Sequence, residues 1–278
     1  MVKRIGAVFA ALGLTFSMLA IAPPALAAPP PGAAQVAFGD SEAAGTGNLL
    51  YVDRSCLRSR VSYPLILKAK SYACASATTT DALTQIGTAV AAQQLGHATR
   101  LVTVTAGVND LGWQQVLQTC YSQGDAACQA ALAQAATALP GVGARLTQAV
   151  GAIRQAAPNA TILVTGYPRL FGQISKPCTV GWLEGTKIVV TANQAAMANA
   201  GVNGLNTVIS SVVTGFTLAG DSKVDFVDVA SLFSGRGLCD TRPRWIYGVI
   251  GVPVLSNASL HVNAVGQLAI AAAVWRQR

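Results

Sequence analysis

The chain has 278 residues, of which 52% are hydrophobic and 11% charged, with a formal charge of +8. So much apolar surface among so few charges excludes a disordered, solvent-extended protein, and the length suits one large α/β domain. The basic residues are scattered, with no Lys/Arg block and no aromatic interleaving. That excludes an obvious nucleic-acid binder and leaves anionic surfaces, such as phospholipid headgroups or cell wall, as what a basic exported chain would favour.

The N-terminus carries the chain's longest unbroken apolar run. Lys3 and Arg4 precede an apolar stretch from Ile5 to Ala22, and Ala25-Leu26-Ala27 fits a small-x-small cleavage site. An uncleaved anchor is the rival reading, but Pro23 and Pro24 ahead of the site favour cleavage. The expected division is a signal peptide over 1–27, a Pro/Ala-rich spacer over 28–34 and a single folded domain over 35–278, hence a secreted, extracellular protein.

Beyond the spacer, Gln35-Val36-Ala37-Phe38 reads as a buried strand ending at Gly39. Residues 42–62 read as a long loop, Tyr63–Lys70 as a short helix, Ser71–Ala75 as a brief strand and Thr80–Gln94 as a helix. Arg100–Thr105 is the clearest strand. Residues 111–128 read as a helix-loop excursion and Ala130–Ala157 as a helix interrupted at Pro140-Gly141. The β-branched run Thr161–Thr165 is a strand, Lys187–Ile209 is Ala-rich and helical, and Lys223–Val229 is a strand. Residues 234–257 are loop-like, and Ala264–Arg276 is a closing helix. Strands alternating with helices predict an α/β fold: a three-layer α/β/α sandwich around a mostly parallel sheet.

All six cysteines, Cys56, Cys74, Cys120, Cys128, Cys178 and Cys239, follow the cleavage site. An even number in an exported chain points to three disulfides, whose connectivity spacing alone leaves open. The simplest arrangement joins sequence neighbours: Cys56–Cys74, Cys120–Cys128 and Cys178–Cys239. A metal site is disfavoured, because there is no Cys-x-x-Cys and there are only two histidines.

In a parallel sheet, sites gather where strands end. Gly39-Asp40-Ser41-Glu42-Ala43-Ala44-Gly45 follows the first strand, and Gly107-Val108-Asn109-Asp110 follows the Leu101 strand. Ser41 can offer a hydroxyl, and Asn109 an amide donor for a developing oxyanion. Serine needs a base. His97 sits at a helix end, whereas His261 precedes the last helix in a loop, which suits a presented base better. A second Gly-Asp-Ser, Gly220-Asp221-Ser222, precedes a strand and lacks the spaced glycine, so it reads as a turn. Asp40 and Asp110 are expected to brace their loops.

This ordered set resembles the SGNH hydrolases, also called the GDSL lipase/esterase family, from about Val36 to the C-terminus. Gly-Asp-Ser-x-x-x-Gly matches at Gly39–Gly45, Gly-x-Asn-Asp at Gly107–Asp110, and His261 takes the base position. The segments Ser62-Tyr63-Pro64, Ala73-Cys74 and Leu163–Pro168 look closest to exported actinobacterial lipases and phospholipases of the family. The resemblance implies a flavodoxin-like fold, the same disulfide pairing, and an oxyanion hole made of the Ser41 N–H, the Ser76 N–H and the Asn109 side chain. The sequence departs from the family twice. Ser76 stands where the family has a glycine, and serine is a poor occupant of left-handed glycine geometry. Ala258 stands where the family usually has the aspartate that orients the base. Some members use a main-chain carbonyl two residues before the histidine, which here is that of Ser259.

The expected function is a secreted ester hydrolase acting on lipid esters, with no cofactor and no metal. It is expected to be a monomer whose partners are an ester or lipid substrate and, peripherally, lipid surfaces, with no nucleic acid. The alternatives are a cell-wall carbohydrate deacetylase or acyltransferase on the same site, and a non-catalytic envelope-binding relative. Loops 46–62, 111–128 and 170–186 are expected to wall the acyl pocket through Leu49, Leu50, Tyr51, Trp113, Leu117, Phe171 and Trp182.

Overall fold

The computed structural model describes residues 32–278. The expected signal peptide and the first part of the spacer, 28–31, lie outside the described residues.

Five parallel strands form the central sheet: β1 (Gln35–Gly39), β4 (Lys70–Ser71), β5 (Leu101–Thr105), β6 (Thr161–Thr165) and β9 (Val224–Val227), in the order β4-β1-β5-β6-β9. β5 is buried along its whole length, as a strand covered on both faces must be. Side chains alternate across it. Val36, Phe38, Val102, Val104, Ile162, Val164 and Val224 pack beneath α3 (Thr79–Ala91), α5 (Leu139–Ala156) and α6 (Ala192–Leu218) through Ile86, Leu146, Ile153, Leu205 and Ile209. Leu101, Leu163 and Val227 face the opposite layer, with Tyr63 of α2 (Tyr63–Ile66) and Ile270 and Val274 of α8 (Ala264–Gln277). The three-layer α/β/α architecture read from the sequence is the one observed.

The expected 42–62 loop holds a one-turn helix, α1 (Ser41–Ala44), and a small antiparallel pair, β2 (Tyr51–Asp53) with β3 (Arg58–Ser59). The excursion at 111–128 belongs to a longer helix, α4 (Trp113–Ala136), broken at Gly124, where φ is +80°. Pro140 does not interrupt a helix. It sits in the first turn of α5, where its missing N–H has no intrahelical partner to lose.

The largest difference from expectation is at Lys187–Ile209. Its first residues are a strand, β8 (Thr186–Val190), antiparallel to β7 (Cys178–Leu183), and the helix starts only after Thr191. Leu183 pairs with Thr186 across Glu184 and Gly185, both at positive φ, the geometry of a tight two-residue hairpin turn. The β-branched Thr186-Lys187-Ile188-Val189-Val190 run then overrides the Ala-rich context. A Thr191/Gln194 capping box starts α6, which continues to Leu218. The short β10 (Val249–Ile250) completes a second sheet, β10-β7-β8, and α7 (Val229–Leu232) follows β9.

Cys56–Cys74, Cys120–Cys128 and Cys178–Cys239 are the disulfides. The second closes α4 across its Gly124 break. No helix among the described residues is long and apolar enough to cross a membrane.

Candidate active site

The chain passes from β1 to β4 on one side and then crosses back over β1 to β5 on the other, so the winding of the sheet reverses at β1. Such a switch point opens a crevice at the carboxyl ends of the strands. Ser41 follows β1, Ser76 follows β4 and Asn109 follows β5, so all three arrive at that crevice.

Gly39 has φ +141°, and a Cβ there would lie 2.1 Å from the Thr105 carbonyl oxygen. Only glycine lets β1 run this close to β5 before turning. The Gln85 amide clamps the turn, accepting from the Gly39 N–H at 2.7 Å and donating to its carbonyl at 2.9 Å. Asp40 then caps α1, its carboxyl accepting from the Glu42 N–H at 3.0 Å and from the Tyr167 hydroxyl. Asp40 is fully buried, and burial pushes its carboxyl up to about 7. Burial and the neighbouring Asp40 push Glu42 up to about 8, and its Oε2 is buried without a hydrogen-bond partner among the described residues.

His261 lies just before α8, which Asn263 caps by accepting from the Val265 and Gly266 N–H groups. Its main chain is held on both sides, donating to the Ala258 carbonyl and accepting from the Tyr247 N–H. The ring Nδ1 is 3.1 Å from the Ser259 carbonyl oxygen. A carbonyl only accepts, so Nδ1 carries the proton and Nε2 keeps its lone pair. Burial outweighs the two backbone carbonyls that favour the cation and lowers the ring to about 4. The imidazole is neutral at pH 7. Ala258 is buried against Gly47, where a Cβ would come within 2.4 Å of the Ala258 Cα.

Ser76 has φ +64°, so it does hold the left-handed geometry that serine was expected to resist. The turn is fixed on both sides, with the Ala75 N–H on the Cys56 carbonyl and the Ala77 N–H on that of Cys74. Among the described residues, neither the Ser41 N–H nor the Ser76 N–H has an acceptor. Asn109 donates from Nδ2 to the Ala77 carbonyl at 2.8 Å and accepts at Oδ1 from the Trp113 indole at 3.0 Å. Ser41, Ser76, Asn109 and His261 line one cavity of about 370 Å³, and the Ser41 hydroxyl makes no hydrogen bond among the described residues.

Of the expected apolar lining, Trp113, Leu117 and Phe171 face this cavity, joined by Val180, Leu183, Ile188 and Val190 from the second sheet. Leu49, Leu50, Tyr51 and Trp182 do not. Leu49 and Leu50 are exposed, the Tyr51 hydroxyl accepts from the Gly47 N–H, and Lys187 lies over the Trp182 ring on the outer face. His97 is exposed in a turn away from the crevice. Asp110 accepts from the Thr79 N–H and hydroxyl and pairs with Arg145. Gly220-Asp221-Ser222 is a turn, with Asp221 paired to Arg154. No group of three or more His, Cys, Asp or Glu among the described residues could hold a metal.

Two organising residues carried no sequence signal. Asn48 donates to the Gly45 and Val262 carbonyls, tying the Ser41 loop to the His261 loop. Gln267, fully buried, accepts from the Tyr63 N–H and donates to the Glu42 carbonyl, fastening α8 to α1 and α2.

Residues 37–269 match the GDSL-like Lipase/Acylhydrolase family. The chain belongs to that family. This GDSL hydrolase is 34% identical to a lipase of Streptomyces rimosus over 84% of its own length and 81% of the relative's. A crystal structure of the extracellular lipase of Streptomyces rimosus superposes with a TM-score of 0.73 at 30% identity, covering 89% of this chain and all of that one. Phospholipase A1 from Streptomyces albidoflavus NA297 superposes with a TM-score of 0.75 at 28% identity over the same 89% of this chain and 100% of that one. The GDSL hydrolase is a carboxylic ester hydrolase.

Proposed function

We propose that this GDSL hydrolase is an exported enzyme of lipase or phospholipase type that cleaves lipid esters through an acyl-enzyme on Ser41, with His261 as its base. The observation that carries this reading is the convergence of four groups on one apolar-walled cavity: a serine hydroxyl, a neutral imidazole with its Nδ1 engaged, and two backbone N–H groups with no acceptor among the described residues. The Asn109 amide adds a third donor.

His261 Nε2 takes the Ser41 proton as Oγ bonds to the ester carbonyl carbon. The Ser41 and Ser76 N–H groups and Asn109 Nδ2 hold the oxygen that gains charge. The Ser259 carbonyl steadies the imidazolium through Nδ1, in place of a carboxylate. The C–O bond then breaks, and His261 returns the proton to the leaving alcohol. Water repeats the sequence on the acyl-enzyme, giving the free acid and restoring the Ser41 hydroxyl.

The lipid preference rests on the cavity wall and its surroundings. Leu183 lines the cavity and is also exposed, and Trp182, Val189 and Val252 are exposed on or beside the same small sheet. That surface suits peripheral contact with a lipid layer. Export agrees with the extracellular Streptomyces rimosus relative and with the disulfides.

The test is a p-nitrophenyl ester series of rising acyl length, run beside a phospholipid substrate, on the wild type and Ser41→Ala. Hydrolysis is expected to favour medium or long chains and to vanish in Ser41→Ala. Activity near wild type in that variant would end the proposal.

A further inference from the structure

We infer that Trp113 is a positioning residue for ester cleavage, its indole N–H holding the Asn109 amide in the one orientation that leaves a proton for the oxyanion. The inference rests on Asn109 serving as an oxyanion donor, as proposed above.

A primary amide has a donor end and an acceptor end of nearly the same shape, and only its neighbours choose between them. Here the neighbours are unambiguous. The indole nitrogen of Trp113 can only donate, and it lies 3.0 Å from Asn109 Oδ1. The Ala77 carbonyl can only accept, and it lies 2.8 Å from Nδ2. Turning the amide over would set donor against donor and acceptor against acceptor. One Nδ2 proton is used by Ala77, next to Ser76, so the other is the one available to the cavity.

The local backbone is built for this contact. Asn109–Leu111 is a single tight turn, and Gly112 at φ +60° reverses the chain, so that Trp113, the first residue of α4, lies back over Asn109. Gly112 meets nothing within 4 Å of a would-be Cβ, so its φ, not crowding, is what calls for glycine. The same indole meets the His261 ring edge-on, with centroids 5.8 Å apart and planes at 84°. It also lines both the main cavity and a second one of about 190 Å³ that shares Ser41 and His261. One side chain thus touches the oxyanion donor and the base.

The test is a double-mutant cycle with Trp113→Phe, which keeps a ring against His261 and removes the N–H, and Asn109→Ala, read with a soluble acetyl ester. Removing an oxyanion donor lowers kcat about 10²–10³-fold. Trp113→Phe is expected to lower kcat about tenfold with KM little changed, because the lost bond steadies a group used only in the transition state. Trp113→Phe/Asn109→Ala is expected to be no slower than Asn109→Ala alone, since the indole acts through that amide. Trp113→His, which restores a ring N–H, is expected to recover part of the rate and carries the test if the Phe variant does not fold. Additive losses, a loss confined to KM, or a Trp113→Phe enzyme as fast as wild type would overturn the role of Trp113. A wild-type rate in Asn109→Ala would instead overturn the oxyanion reading beneath it.

Discussion

Replacing Ser76 by glycine separates the two things this residue does: it occupies a left-handed turn and it presents an N–H. A non-glycine residue in the left-handed region costs about 1–2 kcal/mol. Ser76, at φ +64°, bears that cost, and among the described residues its side chain makes no hydrogen bond to offset it. Glycine removes the strain but loses about 0.5–1 kcal/mol more chain entropy on folding. The expected net effect of Ser76→Gly is a gain of about 0.5 kcal/mol, or ~1–2 °C in Tm for a domain of this size. The flanking bonds from the Ala75 and Ala77 N–H groups hold the turn in either case, so the N–H at 76 keeps its aim and kcat stays within about twofold. Ser76→Val should do the opposite. A β-branched residue is poorly tolerated at positive φ, so the turn relaxes at a cost of ~1–3 kcal/mol. Its N–H leaves the cavity, and kcat falls about 10²-fold, as on loss of one oxyanion donor. Denaturant unfolding gives the stabilities, and initial rates on p-nitrophenyl butyrate give kcat. The reasoning fails if Ser76→Gly loses as much activity as Ser76→Val, or if the valine enzyme turns over like wild type.

With His261 as the proposed base, its buried imidazole should set the acid limit of activity. His261 must be neutral to accept a proton, and burial lowers it to about 4, so kcat/KM on a soluble ester should stay flat from neutrality to about pH 5 and fall below that. A limb with its midpoint near 6.5 would refute this. The same group affects stability. Its folded value lies below the unfolded one, so its contribution is intact above pH 6.5 and is lost as pH falls towards 4, by about 3 kcal/mol at 1.36 kcal/mol per unit. His261→Gln should remove that part of the acid loss in denaturant titrations at pH 7 and pH 4. Ala258→Asp, which restores the residue usual in the family, is expected to cost ~1–3 kcal/mol, because Ala258 is buried against Gly47 and a carboxyl there would be desolvated. It should bring no gain in kcat, since the Ser259 carbonyl already occupies Nδ1. An Asp variant with higher kcat and unchanged Tm would refute that account.

What was legible in the sequence was what is local. The β-branched runs of β5 and β6 and the glycines at 39, 45 and 107 report nearby backbone constraints, and they led to the sheet and to Ser41 and Asn109. The hairpin at 178–190 was hidden because the strand Thr186–Val190 runs directly into an Ala-rich helix, and helical periodicity masks a short strand beside it. Tyr51 and Trp182 were misplaced for a related reason. An aromatic side chain in a loop announces apolar surface but not which face of a sheet it takes. Asn48 and Gln267 were invisible because their partners lie 214, 204 and 225 residues away in sequence. The left-handed Ser76 was illegible in another way: the backbone bonds that hold its turn carry no side-chain signature.

The Asn48 clasp between the Gly45 and Val262 carbonyls also bears on when the enzyme comes into being. A chain made from its N-terminus carries its nucleophile from the outset, but the base arrives with the final strand-turn-helix segment and is aimed only after Asn48 and Gln267 have drawn that segment across the crevice. On the mechanism proposed above, Ser41 lacks its base until α8 docks. If His261 is the base, activity requires the docked C-terminal helix as well as the sheet, because the Asn48 and Gln267 bonds that place the His261 loop and α8 span the chain.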